Sequence, residues 1–430
     1  MTLRLSLISG IKLVKRETRT SPGSREIWLE WFGQTWKLGD SSDAALQFLR
    51  LIASSEVTEA ESKAMGMFGL LTSLNEASLL IRRIWDGRLV RAESIPVDFC
   101  QGTEPDSSRV PRYRIADDVV VCPWQSGFLL ERVSGGRRIH IGDASLASEV
   151  LRGVHGVPAG ILGEVVTELI SSGIYVDAQL SRSRDHHNWA VHERWFHLRS
   201  RRHRAAIIGD NFGAVISEAR ASTYLEGTGR HHPLPRSRRE AEDQISLGEA
   251  LDRRLSRRGY NETNPVSSQA LSNLLSGVVG REPFNRSYPS GGAIYELDLV
   301  LAVRNAEGVP AGLYIYRKES HTLEVLNGAE PAARMCDDAR VAMAGSAAPQ
   351  VLVIMVARFN DLFRKYREIG YSLILKHVGI VMESWSLLSV AEDTSCCLLG
   401  TGTPRLLQDY TGWDPDVAAS VGEIAVGSRS

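Results

Sequence analysis

A chain of 430 residues exceeds the roughly 250–300 at which a single hydrophobic core stops growing, which predicts two or three structural units. Its 50 Lys and Arg against 51 Asp and Glu leave a net charge of −1, so no global field draws it to nucleic acid or to an anionic membrane surface. Five cysteines with no CxxC pair, no charged-then-apolar leader and no apolar run of about 18 residues argue against a secreted or membrane-spanning chain and fit a reduced cytoplasm.

The first 180 residues carry an internal repeat. One copy reads Ile27 to Trp31, Gly33, Trp36 to Asp40, then a helical run through Leu46, Leu49 and Ile52. The other reads Phe128 to Arg132, Gly135, Ile139 to Asp143, then a helical run through Leu146, Val150 and Leu151. The ends match as well: Leu80 to Val90 resembles Val165 to Val176, which predicts in each a helix, a glycine cap and a short strand. Hairpin, helices and a helix leading into a strand make the plan of a winged-helix unit, expected at residues 1–100 and again at 101–180. The helices are not conspicuously basic, which argues against DNA. An extended peptide added to the hairpin edge is the more natural partner.

Residues 181–240 form a basic, aromatic stretch followed by an irregular connection. Trp189, His192, Trp195, Phe196 and His197 lead into Arg199, Arg201, Arg202 and Arg204. His192 and His197 lie five apart, poor spacing for metal ligands on one helical face, and no carboxylate or cysteine set completes a site, so no metal is expected. The pattern predicts an amphipathic helix whose aromatic face packs while its arginines stay in water. From Ala205 to Arg239 periodicity is lost.

Residues 241–430 alternate helical and strand-like patterns. Helices are predicted over Leu247–Arg257, Ser268–Val278, Ala329–Ala344 and about Arg364–Ala391. Strands are predicted over Leu297–Val303, Gly312–Tyr316, Thr322–Leu326, Gln350–Val356, Cys396–Leu399 and Ala419–Val426. Val351 to Val356 is apolar throughout, as in a strand covered on both faces. The class is α+β, with helices packed over a sheet.

Four motifs in this segment can carry chemistry. Arg254, Ser256 and Arg258, where a helix unwinds, can clasp a phosphate through charged forks and a hydroxyl, or can be a solvated charge run. Pro289, Ser290, Gly291 and Gly292 precede a buried strand, and the two glycines let backbone approach a flat or anionic ligand, or simply turn the chain. Lys365 beside Tyr366 can stabilise phenolate character and move a proton, best from a bend or a helix start, since neighbours on a helix diverge by about 100°. Gly400 and Gly402 precede a helix opening near Arg405, whose free N–H groups suit an anion.

In this order and spacing the pieces resemble the SagB-type thiazoline/oxazoline dehydrogenases of the flavin-dependent nitroreductase superfamily. The resemblance covers about Ser246 to Gly427, with a weaker likeness around Trp195 to Arg201. It implies a nitroreductase-like domain, a central mainly antiparallel sheet flanked by helices, binding FMN at a homodimer interface. It implies Arg254, Ser256 and Arg258 at the FMN phosphate, Ser290, Gly291 and Gly292 at the isoalloxazine, Gly400 and Gly402 near the phosphate or ribityl chain, and Lys365 and Tyr366 as the catalytic pair. Leu399-Gly-Thr-Gly departs from the G-G-F-like segment common in the superfamily. The implied activity is oxidation of azolines in a ribosomally made precursor peptide, thiazoline to thiazole, with the tandem repeat holding the peptide leader or a cyclodehydratase. Two other readings compete: a small-molecule nitroreductase or flavin reductase using NAD(P)H, and a peptide-binding scaffold that has lost activity.

Overall fold

In the computed structural model the chain divides into two compact units, Met1–Gly213 and Ala214–Ser430. The structure describes residues 2–7, 12–17, 25–31, 34–40, 43–76, 80–86, 88–96, 112–124, 127–133, 137–179, 189–201, 224–237, 245–280, 286–344, 347–366, 369–402 and 404–430. The predicted turns at Gly33 and Gly135, and residues 202–223 of the basic stretch and connection, lie outside the described residues.

The first unit opens with β1 (Thr2–Leu7), β2 (Lys12–Glu17), β3 (Arg25–Trp31) and β4 (Gln34–Asp40), then α1 (Asp43–Ser54), α2 (Glu59–Ala64) and α3 (Phe68–Glu76). β5 (Leu80–Trp85), β6 (Val90–Pro96), β7 (Arg112–Ile115), β8 (Val119–Trp124), β9 (Gly127–Arg132) and β10 (Arg137–Ile141) follow. The unit continues with α4 (Ala144–Arg152), β11 (Val154–His155), α5 (Ile161–Ser171), β12 (Tyr175–Asp177) and α6 (Val191–Arg201). Both hairpins of the repeat are present, β3 with β4 and β9 with β10, each followed by a helix. They belong to different sheets: β2, β3 and β4 form one of three strands, while β1, β5, β6, β10, β9 and β8 form one of six.

The predicted likeness of the repeat ends fails at Leu80. Leu80 to Trp85 is a strand between β1 and β6, whereas the matching residues of the second copy lie in α5. The reason is the spacing of the apolar residues. Leu80 and Ile84, both buried, lie four apart, which satisfies a helical and a strand period equally. Val165, Val166, Leu169 and Ile170 satisfy only the helical one.

The expectation that the arginines of the basic helix stay in water is corrected at Arg199, while Arg201 is exposed as expected. Arg199 of α6 is buried on Glu131, whose carboxylate also takes Arg138 at 3.2 Å, and the guanidinium stacks 5.2 Å from the Trp195 ring. Trp189 and Phe196, read as part of the packed aromatic face, are exposed. A buried carboxylate needs countercharge more than an aromatic ring needs cover. Glu131→Gln, which removes the buried negative charge between Arg138 and Arg199, is expected to cost about 3–5 kcal/mol in chemical denaturation of this unit.

In the second unit β13 (His231–Pro233) lies at one edge of a seven-stranded antiparallel sheet. The remaining strands are β14 (Leu297–Val303), β15 (Gly312–Arg317), β16 (Thr322–Asn327), β17 (Val351–Arg358), β18 (Thr394–Leu399) and β19 (Ala418–Ser428), in the order β13-β16-β15-β14-β17-β19-β18. β13 comes from the segment read as irregular connection: three residues show no period, and Pro233 is tolerated because the strand is an edge.

The helices are α7 (Leu247–Arg253), α8 (Ser268–Val279), α9 (Ala329–Ala342), α10 (Phe359–Tyr366), α11 (Gly370–Ala391) and α12 (Pro404–Thr411). Ser246 and Ser267 cap the first two by accepting the N–H of Glu249 and Ala270. Alternation in the strands divides the core between the two sheet faces. Leu299, Leu301, Val353 and Met355 pack with Leu274 of α8 and Trp385 of α11, while Val300, Ala302, Leu352 and Ile354 pack with Met335 and Ala339 of α9. α11 is long and apolar enough by composition to cross a membrane, but here Ile374, Val381 and Trp385 are buried against the sheet.

The single helix predicted from about Arg364 to Ala391 is two. α10 ends at Tyr366 and α11 begins at Gly370, where a Cβ would lie 2.4 Å from Cδ1 of Phe363. The first helix packs an aromatic ring where only glycine leaves room. Lys365 and Tyr366 thereby end the short helix.

Candidate active site

The loop from Tyr288 to Glu296 is held from three sides. Ser290 Oγ accepts the Tyr295 N–H at 3.0 Å and donates to Glu296 Oε2 at 3.2 Å, and the Ala293 N–H donates to Ser290 O at 3.0 Å. Arg358 grips the exit, its backbone N–H on Glu296 O at 3.0 Å and its Nη2 on Tyr295 O at 2.9 Å. The same guanidinium pairs with Asp298 and Asp361, which holds its pKa well above the usual arginine value despite burial. Gly292, Ala293 and Tyr295 all have φ between +52° and +62°. Two of these are not glycine, so the loop stores backbone strain that the surrounding bonds must hold. Tyr288 is buried, and burial raises its phenol pKa.

Lys365 and Tyr366, 73 and 74 residues beyond Gly292, come directly onto this loop. A Cβ built on Gly292 would lie 2.5 Å from Lys365 Nζ and 2.9 Å from the Tyr366 hydroxyl, and one on Gly291 would lie 3.4 Å from Tyr366 Cε2. The ammonium stands 5.5 Å from the centre of the Tyr366 ring. Lys365 is exposed and Tyr366 half-buried. The helix end lets adjacent side chains converge on one point, as the sequence requires of a cooperating pair.

Behind the loop lies a buried pair that the sequence reading does not name. The Gly291 N–H donates to His377 Nε2 at 2.9 Å, and His377 Nδ1 stands 2.6 Å from Glu296 Oε1. Glu296 has no exposed side-chain surface and His377 has 6%. An acid opening a buried strand and a lone histidine in a long apolar helix are each costly unless paired, which is the signal the sequence offers.

The other predicted residues lie elsewhere in the unit. The chain leaves α7 in extended conformation at Arg254 (φ −63°, ψ 120°), and the Arg257 N–H bonds Cys396 O of β18 at 2.8 Å. Arg254, Ser256 and Arg258 follow the helix end at a spacing of two. Ser256 and Arg258 are exposed, and neither Arg254 nor Arg258 forms an ion pair among the described residues. Arg258 is close enough to Cys397 to bond its thiol, while burial pushes the neighbouring Cys396 thiol up to about 12, so that thiol stays protonated. No hydrogen bond or ion pair joins this segment to the glycine loop among the described residues.

Gly400 meets nothing within 4 Å of a built Cβ, but one on Gly402 would lie 2.3 Å from the carboxylate of buried Glu423. An acid at that position opposes a phosphate there. A separate cavity of about 500 Å³ is lined by Arg286, Tyr316, Arg317 and Arg358 among others, and takes only Tyr295 from the glycine loop.

An antiparallel sheet covered by helices on both faces, with a strained glycine loop meeting a lysine–tyrosine pair, defines an α+β domain built around a backbone-lined site. The chain matches the nitroreductase family over residues 251–428. MJ1384 of Methanocaldococcus jannaschii, a nitroreductase by name, is 30% identical over 164 residues, covering 37% of this chain and 78% of the relative. A solved nitroreductase of Ralstonia eutropha is 20% identical with a TM-score of 0.40, over 50% of this chain and 96% of that one. The Escherichia coli microcin synthetase McbBCD complex, solved with truncated pro-MccB17 bound, is 21% identical with a TM-score of 0.37, over 55% and 91%. The chain belongs to the nitroreductase family through its C-terminal part, a family of oxidoreductases in which FMN is typical.

The residues present fit FMN at the arginine segment, where two guanidiniums with no acidic partner among the described residues flank a hydroxyl. They fit less well at Gly402, beside Glu423.

Proposed function

We propose that this protein is an FMN-dependent dehydrogenase that oxidises azolines in a ribosomally made peptide, converting thiazoline to thiazole, in the cytoplasm. The observation that carries the reading is the contact of Lys365 and Tyr366 with the Gly291–Gly292 backbone inside a nitroreductase-family domain. Residues 292 and 365 are far apart in sequence, and the fold brings them together.

In a cysteine-derived thiazoline the ring Cα–H is acidified by the neighbouring carbonyl. Oxidation removes that proton and a hydride from Cβ, leaving a double bond between the two carbons and an aromatic ring. When bound, FMN supplies the two-electron acceptor for this step and is restored by molecular oxygen. Tyr366 Oη takes the Cα proton, and the Lys365 ammonium stabilises the charge that develops on the phenol oxygen. Arg254, Ser256 and Arg258 hold the FMN phosphate. Ser290 tightens the loop through Tyr295 and Glu296, so Gly291 and Gly292 present backbone to the ring system with the pair in register. Pro289 would join the loop in binding FMN, and Gly400 and Gly402 would lie near its phosphate or ribityl chain, the latter beside Glu423.

The reading includes a homodimer. Leu247 and Leu251 lie four apart on α7 and are 69% and 52% exposed, an apolar face on the helix that precedes the arginine clasp. A second copy of this chain covers it, which puts the clasp at the interface. Leu251→Glu is expected to give monomers in analytical ultracentrifugation and to lower FMN occupancy at least tenfold; a flavin-loaded monomer would contradict this arrangement.

The tandem repeat of the first unit, read as winged-helix-like, holds the precursor leader or a partner cyclodehydratase. Mass spectrometry of ring oxidation with leader-bearing and leaderless substrates tests it, and equal turnover of the two would remove the recognition role.

A further inference from the structure

Two groups, the Gly291 amide and the Glu296 carboxylate, fix the orientation of His377 without reference to any ligand. A backbone N–H can only donate, so the nitrogen that receives Gly291 N–H at 2.9 Å, Nε2, carries a lone pair. The proton of the neutral imidazole then resides on Nδ1, which donates to Glu296 Oε1 at 2.6 Å. Glu296 is held in turn, by Ser290 Oγ at 3.2 Å and by its place at the head of β14, where its own C=O accepts the Arg358 N–H. The result is a buried chain from β14 through Glu296 and His377 of α11 to the amide between Ser290 and Gly291.

That amide sits at the start of the strained turn. The peptide unit preceding Gly291 sets where the turn begins, and Gly292, at φ +62°, is the next residue and the one on which Lys365 Nζ and Tyr366 Oη converge. Van der Waals contact alone does not determine how that peptide plane is rotated; a buried acceptor of defined direction does.

We propose that Glu296 and His377 are positioning residues: Glu296 holds His377 in the Nδ1–H tautomer so that Nε2 fixes the Gly291 amide, and this places Gly292 against Lys365 and Tyr366. The inference rests on the catalytic reading of that pair for its effect on turnover, and on geometry alone for its effect on the loop. The two side chains that can share the work differ in reach. Glutamine at 377 can place a carbonyl oxygen where Nε2 stands and still accept from Gly291; asparagine can reach toward Glu296 but not as far as Gly291.

The test uses the full-length protein loaded with FMN, in the variants His377→Gln and His377→Asn. Two readouts are taken: amide hydrogen exchange over residues 288–296, and kcat and KM for oxidation of an azoline-bearing precursor peptide. Loss of the acceptor in His377→Asn is expected to raise exchange in the segment by about five- to tenfold and to lower kcat by about as much or more with KM little changed, while His377→Gln stays within about threefold of the parent in both. Equal exchange in the two variants, whether both raised or both at the parental level, would overturn the assignment. Absence of peptide oxidation in the parent, with the exchange difference intact, would sink the proposed reaction and leave the positioning role standing.

Discussion

Tyr366→Phe is expected to lower azoline oxidation by about 10²–10⁴-fold while FMN stays bound. The substitution removes one hydroxyl and keeps the ring that packs beside Gly291 and under the Lys365 ammonium, so the loop has no reason to move. The loss falls on the step in which the ring Cα proton departs, and mass spectrometry should show the substrate retaining the two hydrogens that the parent removes. Lys365→Ala should fall in the same direction but less far, since it removes the charge near the phenol and leaves the acceptor of the proton in place. Parental turnover in both variants would dismiss the pair from catalysis.

Gly292→Ala is expected to act through placement. At φ +62° a side chain costs on the order of 1–2 kcal/mol in backbone strain alone. The new methyl would also stand 2.5 Å from Lys365 Nζ and 2.9 Å from the Tyr366 hydroxyl, closer than non-bonded atoms approach. Lys365 can swing away because it is long and exposed, but it then leaves the position the chemistry requires. A displacement of about 1 Å can cost about 10²-fold in rate, so turnover and flavin occupancy should both drop while the melting temperature of the unit falls by only a few degrees. Gly291→Ala is the internal control, because its Cβ meets Tyr366 and His377 at ordinary contact distances of 3.4–3.6 Å. It should be tolerated several-fold better, a distinction between the two glycines that the sequence does not contain.

What the sequence makes legible follows from the range of the interaction involved. The strands of the second unit are visible because two-sided burial demands uninterrupted apolar runs, as at Val351 to Val356, and because their period is two. The glycine loop and the Lys365–Tyr366 pair are visible because each is contiguous. The buried His377–Glu296 contact joins residues 81 apart, and neither partner has a neighbour in sequence that announces it. The break between α10 and α11 depends on Phe363 meeting Gly370 in space, and the helical period runs through it undisturbed. Leu80 and Ile84 carry a spacing that two structures share, so only pairing with β1 and β6 decides between them. Gly402 reads as an anion site until Glu423, on a strand 21 residues later, arrives beside it.

Whether a peptide azoline is the electron donor is decided by an anaerobic single turnover. The FMN-loaded protein is mixed with a stoichiometric amount of thiazoline-bearing precursor peptide, the flavin absorbance is followed, and the peptide is weighed. Bleaching of the flavin in step with a loss of two hydrogens per ring, both slowed in Tyr366→Phe, is the predicted result. A flavin that is bleached by NADPH but stays oxidised in the presence of the peptide, with the ring mass unchanged, would contradict the account and return the protein to small-molecule reduction.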